Sequence, residues 1–167
     1  AVHDGEDGSL DIRFTSGYHS ANFVPIFATG PGAEVFDGFF DNTAIGRQTL
    51  KSNTTAFYNT AVGTQALYSN TTGAGNMALG FESLKKNVSG SNNAALGMYS
   101  LQNTTGSESI AFGGYAAKSN TTGSSITAVG FKALQSNTTG SYNTAVGKKA
   151  LNANTTASNN TAIGYTS

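Results

Sequence analysis

Cysteine is absent from this chain of 167 residues, which excludes disulfides and thiolate metal sites. Tryptophan is absent as well. Proline occurs twice, at Pro25 and Pro31, and charged residues supply only 11% of the chain. No run of about 20 apolar residues occurs, so no segment reads as a membrane-spanning helix. There is no initiator methionine and no signal-like segment. The opening "AVHDGEDG" reads as a mature end left by processing, which suits an exported protein.

Histidine is almost missing too. His3 and His19 are the only two, and neither is spaced with another His to ligate a metal. Beyond residue 41 the only carboxylates are Glu82 and Glu108, at non-equivalent positions of the repeat described below. A hydrolase needs a nucleophile, a base and an orienting group held together, and a glycosidase needs a carboxylate pair. Neither set is available. "DGEDG" at 4–8 has the composition of a calcium loop but reads more simply as a solvated acidic N-terminus. The glycine-rich words have no Lys-Ser/Thr partner, so phosphate binding is not indicated. The chain reads as a non-enzyme that needs no cofactor and no metal.

Asn, Thr, Ser, Gly and Ala fill the space instead, and they fill it periodically. "NTAVGTQALYSNTTGAGN" and "TAVGFKALQSNTTGSYNTAVGKKAL" are two passages of one repeat. Its mark is a glycine: Gly46, Gly63, Gly80, Gly97, Gly113, Gly130, Gly147 and Gly164, spaced by 17 residues in six of seven intervals and by 16 in the other. Ala stands two residues before each mark and a large apolar residue just before it. A Leu, or Ala117, stands four after it, and then a polar corner such as "SNTTG". The missing residue in the short interval reads as falling between Leu101 and Asn103. A deletion suits a corner, because a strand would lose its side-chain register.

No window carries a sustained helical period. The β-branched "TAV" word followed by Gly suits a short strand that ends in a bend. The "xxAL" word reads either as extended or as one helical turn. Repeats this short cannot fold alone, so the pattern predicts an all-β fold: a parallel β-solenoid, or β-roll, over residues 42–167 with about seven 17-residue coils. The expected coil core is Ala61, Val62, Leu67, Ala128, Val129, Leu134, Ala145, Val146 and Leu151. So thin a coil buries little apolar surface, which favours a homo-oligomer, with the repeated Ala packed at a symmetry axis.

Residues 1–41 differ in character. They hold seven acids against Arg13, whereas 42–167 hold eight bases against two acids. They also hold both prolines and six of the ten phenylalanines: Phe14, Phe23, Phe27, Phe36, Phe39 and Phe40. We read 1–41 as an acidic, aromatic-rich N-terminal module that caps the first coil or docks onto the last coil of another copy. The bases of the body are scattered along the sequence, so nucleic acid is not an expected partner.

Two surface rows recur. Asn53, Asn70, Asn87, Asn103, Asn120, Asn137 and Asn154 each open an Asn-X-Ser/Thr triplet. They read as glycosylation acceptors or, more economically, as corner residues bonded to turn backbone. Thr54, Thr71, Thr104, Thr121, Thr138 and Thr155 align in a second row, which suggests ice binding only if it lies flat.

The words resemble the repeats of phage and bacterial tail-fibre-like proteins, over about residues 42–167. "NTAVG" and "NTAIG" also resemble the "SVAIG" word of trimeric autotransporter adhesin heads, which are β-rolls that trimerise. The resemblance implies a structural fibre or filament protein at the outside of a cell or virion, self-associating as a homotrimer, and the charge split between residues 1–41 and the body adds a head-to-tail filament as the other form. It also implies an alternative role as an adhesin segment that binds a cell-surface glycan or receptor.

Overall fold

A computed structural model describes residues 2–4, 10–12 and 42–167. Strands β1 (Val2–Asp4) and β2 (Leu10–Ile12) pair antiparallel, with Val2 opposite Ile12 and Asp4 opposite Leu10. Phe14, Phe23, Phe27, Phe36, Phe39 and Phe40 lie outside the described residues.

From Asn42 onward every repeat supplies one three-residue strand. These are β3 (Thr43–Ile45), β4 (Thr60–Val62), β5 (Met77–Leu79), β6 (Ala94–Leu96), β7 (Ile110–Phe112), β8 (Thr127–Val129), β9 (Thr144–Val146) and β10 (Thr161–Ile163). They form one parallel sheet in strict sequence order. The register never slips: Ala44 faces Ala61, Ala78 faces Ala95, and Ala128 faces Ala145. The fold is an all-β parallel β-solenoid with 17-residue turns. At about 4.8 Å per coil, seven intervals make a stack of about 34 Å.

Each strand ends at the marking glycine for two reasons. Its φ lies between 125° and 136°, a region that side-chain-bearing residues avoid. A Cβ on Gly63 would also sit 2.6 Å from the carbonyl oxygen of Gly80 in the next coil. The coil cannot tilt away, because the same peptides bond along the stack: Gly80 N–H donates to Val62 O at 2.8 Å.

The "xxAL" word is neither extended nor helical. Gln65 and Leu67 have φ of 59° and 49°, and Lys132 and Leu134 have 61° and 49°. Left-handed residues alternate with ordinary ones, closed by turn bonds from Ala66 N–H to Gly63 O and from Asn70 N–H to Leu67 O, both 3.2 Å. A right-handed helical turn would climb along its own axis. This stretch must instead return in the plane of its coil while its peptide groups point along the rod. They do: Leu67 N–H donates to Ser83 O and Ser69 N–H to Lys85 O, each at 3.0 Å. Left-handed Leu is strained. Full burial of Leu67, Leu84, Leu101 and Leu134 offsets that strain.

The interior is narrower than the sequence suggests. Ala61, Ala128, Ala145, Leu67 and Leu134 are buried. Val62, Val129 and Val146 are not core residues: they are half-exposed on the outer side of the sheet, since neighbours along a strand face opposite ways. Leu151, in the last coil, is only partly buried. The repeated Ala is covered by its own chain and so does not lie at a symmetry axis. The space left by the valines is filled with asparagine.

Two files of Asn run through the interior. In the first, interrupted only by Ile126 before β8, the residue before each strand passes a bond to the next coil: Asn76 N–H donates to Asn59 Oδ1 at 2.9 Å, Asn93 N–H to Asn76 Oδ1 and Ser109 N–H to Asn93 Oδ1, both at 3.0 Å. In the second, the corner Asn donate side chain to side chain: Asn137 Nδ2 to Asn120 Oδ1 and Asn154 Nδ2 to Asn137 Oδ1, both at 2.9 Å. The two files meet on shared acceptors. Gly73 O receives Asn59 Nδ2 at 3.0 Å and Asn70 Nδ2 at 2.9 Å. A Cβ on Gly73 would lie 2.6 Å from Asn70 Oδ1. A third file of Ser hydroxyls runs the other way, with Ser107 N–H on Ser124 Oγ at 3.2 Å and Ser124 N–H on Ser141 Oγ at 3.1 Å. Buried amides cost free energy unless both ends are bonded, and the repeat bonds them to their own copies.

The short interval is not where the sequence places it. Thr105 N–H bonds Thr121 O, and Thr104 Oγ1 accepts Asn120 Nδ2, so Thr104 occupies the corner Asn position and Thr105 the Thr position. The lost residue therefore falls between Thr105 and Gly106. Asn103 lies beside the Asn file, half-exposed, with Nδ2 on Lys118 O at 3.0 Å.

Candidate functional site

Apart from Asn103, which is half-exposed beside the file, the sequon Asn turn their amides into the coil and away from any glycan. Asn70, Asn87, Asn120 and Asn137 are fully buried with their amides engaged inside the coil. Asn53 and Asn154 are partly buried and bond Ala56 O and Ala157 O in the same way, each at 3.0 Å. The Thr row sits on bends, not on a flat strand. Its hydroxyls are spent on the stack: Thr54, Thr71, Thr121 and Thr138 each donate to a carbonyl of the next coil at 2.9–3.1 Å, and Thr105 does so in the place the sequence reading gave to Thr104.

The outer surface carries two features that the interior does not explain. The first is an apolar column. Each strand of the parallel sheet turns its last residue outward, and all eight of these are apolar, from Ile45 through Leu96 and Phe112 to Ile163. Leu96 and Phe112 are 45% and 42% exposed. Just past the strand glycine, Phe81, Met98 and Phe131 widen the column over the middle coils, each more than 40% exposed. This uncharged apolar surface continues over many coils and is of the kind that interaction faces present.

The second feature is basic and aromatic. Counted from the strand glycine of its coil, every base of the body falls within the next six residues: Arg47, Lys51, Lys85, Lys86, Lys118, Lys132, Lys148 and Lys149. Bases scattered in sequence are thus gathered in space, because the in-register stack superposes equivalent positions. The same segment carries stacked rings. Phe81 meets Tyr99 edge-on at 5.3 Å between centroids, Tyr99 meets Tyr115 at 5.1 Å, and Tyr115 meets Phe131 edge-on at 5.9 Å. Lys118 Nζ lies 5.0 Å from the Tyr99 ring and 5.3 Å from that of Tyr115. Lys132 Nζ lies 5.8 Å from Tyr115 and 5.4 Å from Phe131. Lys51 over Tyr68 and Lys148 over Tyr165 repeat the pairing near either end. Of the two acids, Glu82 shares this face but is held by Lys85 at 3.0 Å, and Glu108 belongs to the corner.

The sequence signal for this face is available: all bases of the body, with Tyr68, Tyr99, Tyr115 and Tyr165, recur at a restricted phase of the 17-residue period, whereas Tyr58 and Tyr142 fall at another. Reading charges along the chain instead of around the coil hides it. Among the described residues no three His, Asp or Glu gather into a metal-sized group. No family model matches this chain, and neither does any curated protein or solved structure.

Proposed function

We propose that residues 42–167 form the rigid shaft of a self-assembling fibre at the outside of a cell or virion. The observation that carries this reading is the continuity of the stack. Every coil hands backbone and side-chain bonds to the next in one register, from Asn42 to Asn160, so bending must break several at once. Such a body has stiffness and length but little interior in which to hold a substrate. The resemblance to tail-fibre-like repeats supports the same role. Self-association uses either the apolar column, side by side as in a trimer, or head-to-tail docking of the acidic N-terminal module. Electron microscopy of the purified chain separates these outcomes. Long uniform filaments support head-to-tail assembly and short thick rods support the trimer. Only small single particles at high concentration would overturn a fibre role.

A second reading, an adhesin segment that binds glycan, is favoured by the basic aromatic face. A shaft needs no such density of charge: Lys51, Lys118, Lys132 and Lys148 each lie over a ring of a neighbouring coil, but backbone bonds and the amide files already join the coils without their ammonium groups.

A further inference from the structure

We propose that the basic aromatic face binds an extended acidic polysaccharide carrying carboxylate groups, laid along the rod. This rests on the glycan-binding reading above and names its ligand class.

Charge density is the first ground. The eight bases fall on five of the eight coils, with none after Gly63, Gly97 or Gly164, and Lys85 is neutralised by Glu82, which leaves an average of close to one positive charge per coil. Coils recur every ~4.8 Å. A polyuronate with a carboxylate on each sugar, or on alternate sugars, has a comparable mean charge density, because one pyranose advances about as far as one coil. Duplex nucleic acid carries a charge every ~1.7 Å, far denser than this face can neutralise.

The cation type is the second ground. Seven of the eight bases are Lys and only Arg47 offers a planar fork. Guanidinium forks orient carboxylates and phosphates alike, whereas ammonium groups act as point charges, so this face is suited to following the charge of an extended polyanion and not to orienting a single group.

Ring presentation is the third. Single-stranded nucleic acid binds by stacking bases on open aromatic faces. Here the rings of Tyr99 and Tyr115 are half-buried, packed against each other and covered by Lys118. They hold the ammonium groups in place and leave no flat platform. Phe81 and Phe131, more exposed at the two ends of the ring row, offer apolar surface to the C–H faces of sugars.

The test is binding of the full chain to polygalacturonate by calorimetry at low and moderate salt. Comparison ligands are the fully methyl-esterified polymer, which has the same backbone without charge, and a single-stranded oligonucleotide of equal total charge. Polygalacturonate is expected to bind, the ester not to bind, and the oligonucleotide to bind more weakly. The pair Lys118→Gln and Lys132→Gln is expected to weaken binding about tenfold and to reduce the salt slope by about 1.5, in line with losing two charge contacts. Unchanged thermal unfolding of that variant confirms that the loss is not misfolding. Equal binding of the neutral ester would overturn this proposal while leaving glycan binding standing. Tighter binding of the oligonucleotide would replace the polysaccharide with nucleic acid. No binding to any of the three would overturn both the proposal and the adhesin reading.

Discussion

Asn120 donates its Nδ2 to Oγ1 of Thr104 at 2.9 Å, and at this step alone the corner file passes from Asn to another residue. The hydroxyl accepts from Asn120 and from Gly106 N–H. It sends nothing to Asn87, whose Oδ1 is the buried polar atom left without a partner among the described residues. The shortened coil and the broken file are therefore one defect. Thr104→Asn restores the missing donor at similar volume. We expect it to stabilise the chain by about 1 kcal/mol, read as a higher midpoint in urea. A lower midpoint would mean that the shortened corner cannot admit the amide.

The interior Asn should behave as core residues. Asn137→Ala removes the acceptor for Asn154 and the donors to Asn120 and Gly140, all inside the coil. A loss of about 2–4 kcal/mol is expected. Asn103→Ala, beside the file, should cost no more than about 1 kcal/mol. Similar losses at the two sites, measured by equilibrium denaturation, would contradict the inward placement.

Adjacent glycines should differ sharply. Gly113 has φ 136° and a Cβ there would meet Gly130 O at 2.6 Å, whereas the nearest atom to a Cβ on Gly114 is a ring carbon of Phe131 at 3.5 Å. Gly113→Ala should cost at least about 3 kcal/mol from strain and overlap together. Gly114→Ala should fall within about 1 kcal/mol of the parent. Thermal unfolding of the two variants decides it, and a tolerated alanine at Gly113 would refute the close stacking.

Glycosylation offers a chemical test. A glycan on Asn70, Asn87, Asn120 or Asn137 would have to replace a buried amide bond. Chain secreted by a glycosylating host should therefore carry no glycan at these four sites in its folded fraction. Site-resolved mass spectrometry of that fraction reads the answer, and substantial occupancy at any of them would contradict the coil interior described here.

Much of this architecture can be read from the sequence, for a physical reason. The 17-residue period and the Gly after each strand are constraints of stacking, and stacking repeats them in every coil. Which side of a three-residue strand faces inward cannot be read the same way. Ala61 and Val62 are both apolar, and a strand so short shows no alternation long enough to choose. The choice goes to Ala because Asn59 and Asn70 occupy the remaining width. Asn70 reads from the sequence as a surface corner residue, since polar side chains normally face water, and Asn59 draws no reading at all. The recurrence of Asn at the corner, broken at Thr104 alone, beside variable neighbours such as Tyr68 and Lys85 is the clue. The left-handed backbone at Leu67 and Leu134 has no sequence signature, because only glycine announces positive φ. The short interval was misplaced because Asn103-Thr104 imitates the corner word, whereas backbone register counts from the strand.

The claim underlying all of this is that side-chain amides inside the coil join each copy of the repeat to the next. Amide hydrogen exchange on the full chain tests it at single residues. The N–H groups of Asn76, Asn93 and Asn160, each donated to the Oδ1 of the preceding coil's Asn at 2.9–3.0 Å, should be among the slowest to exchange, as slow as those of the strand residues. Exchange at the rate of exposed corner amides would contradict it.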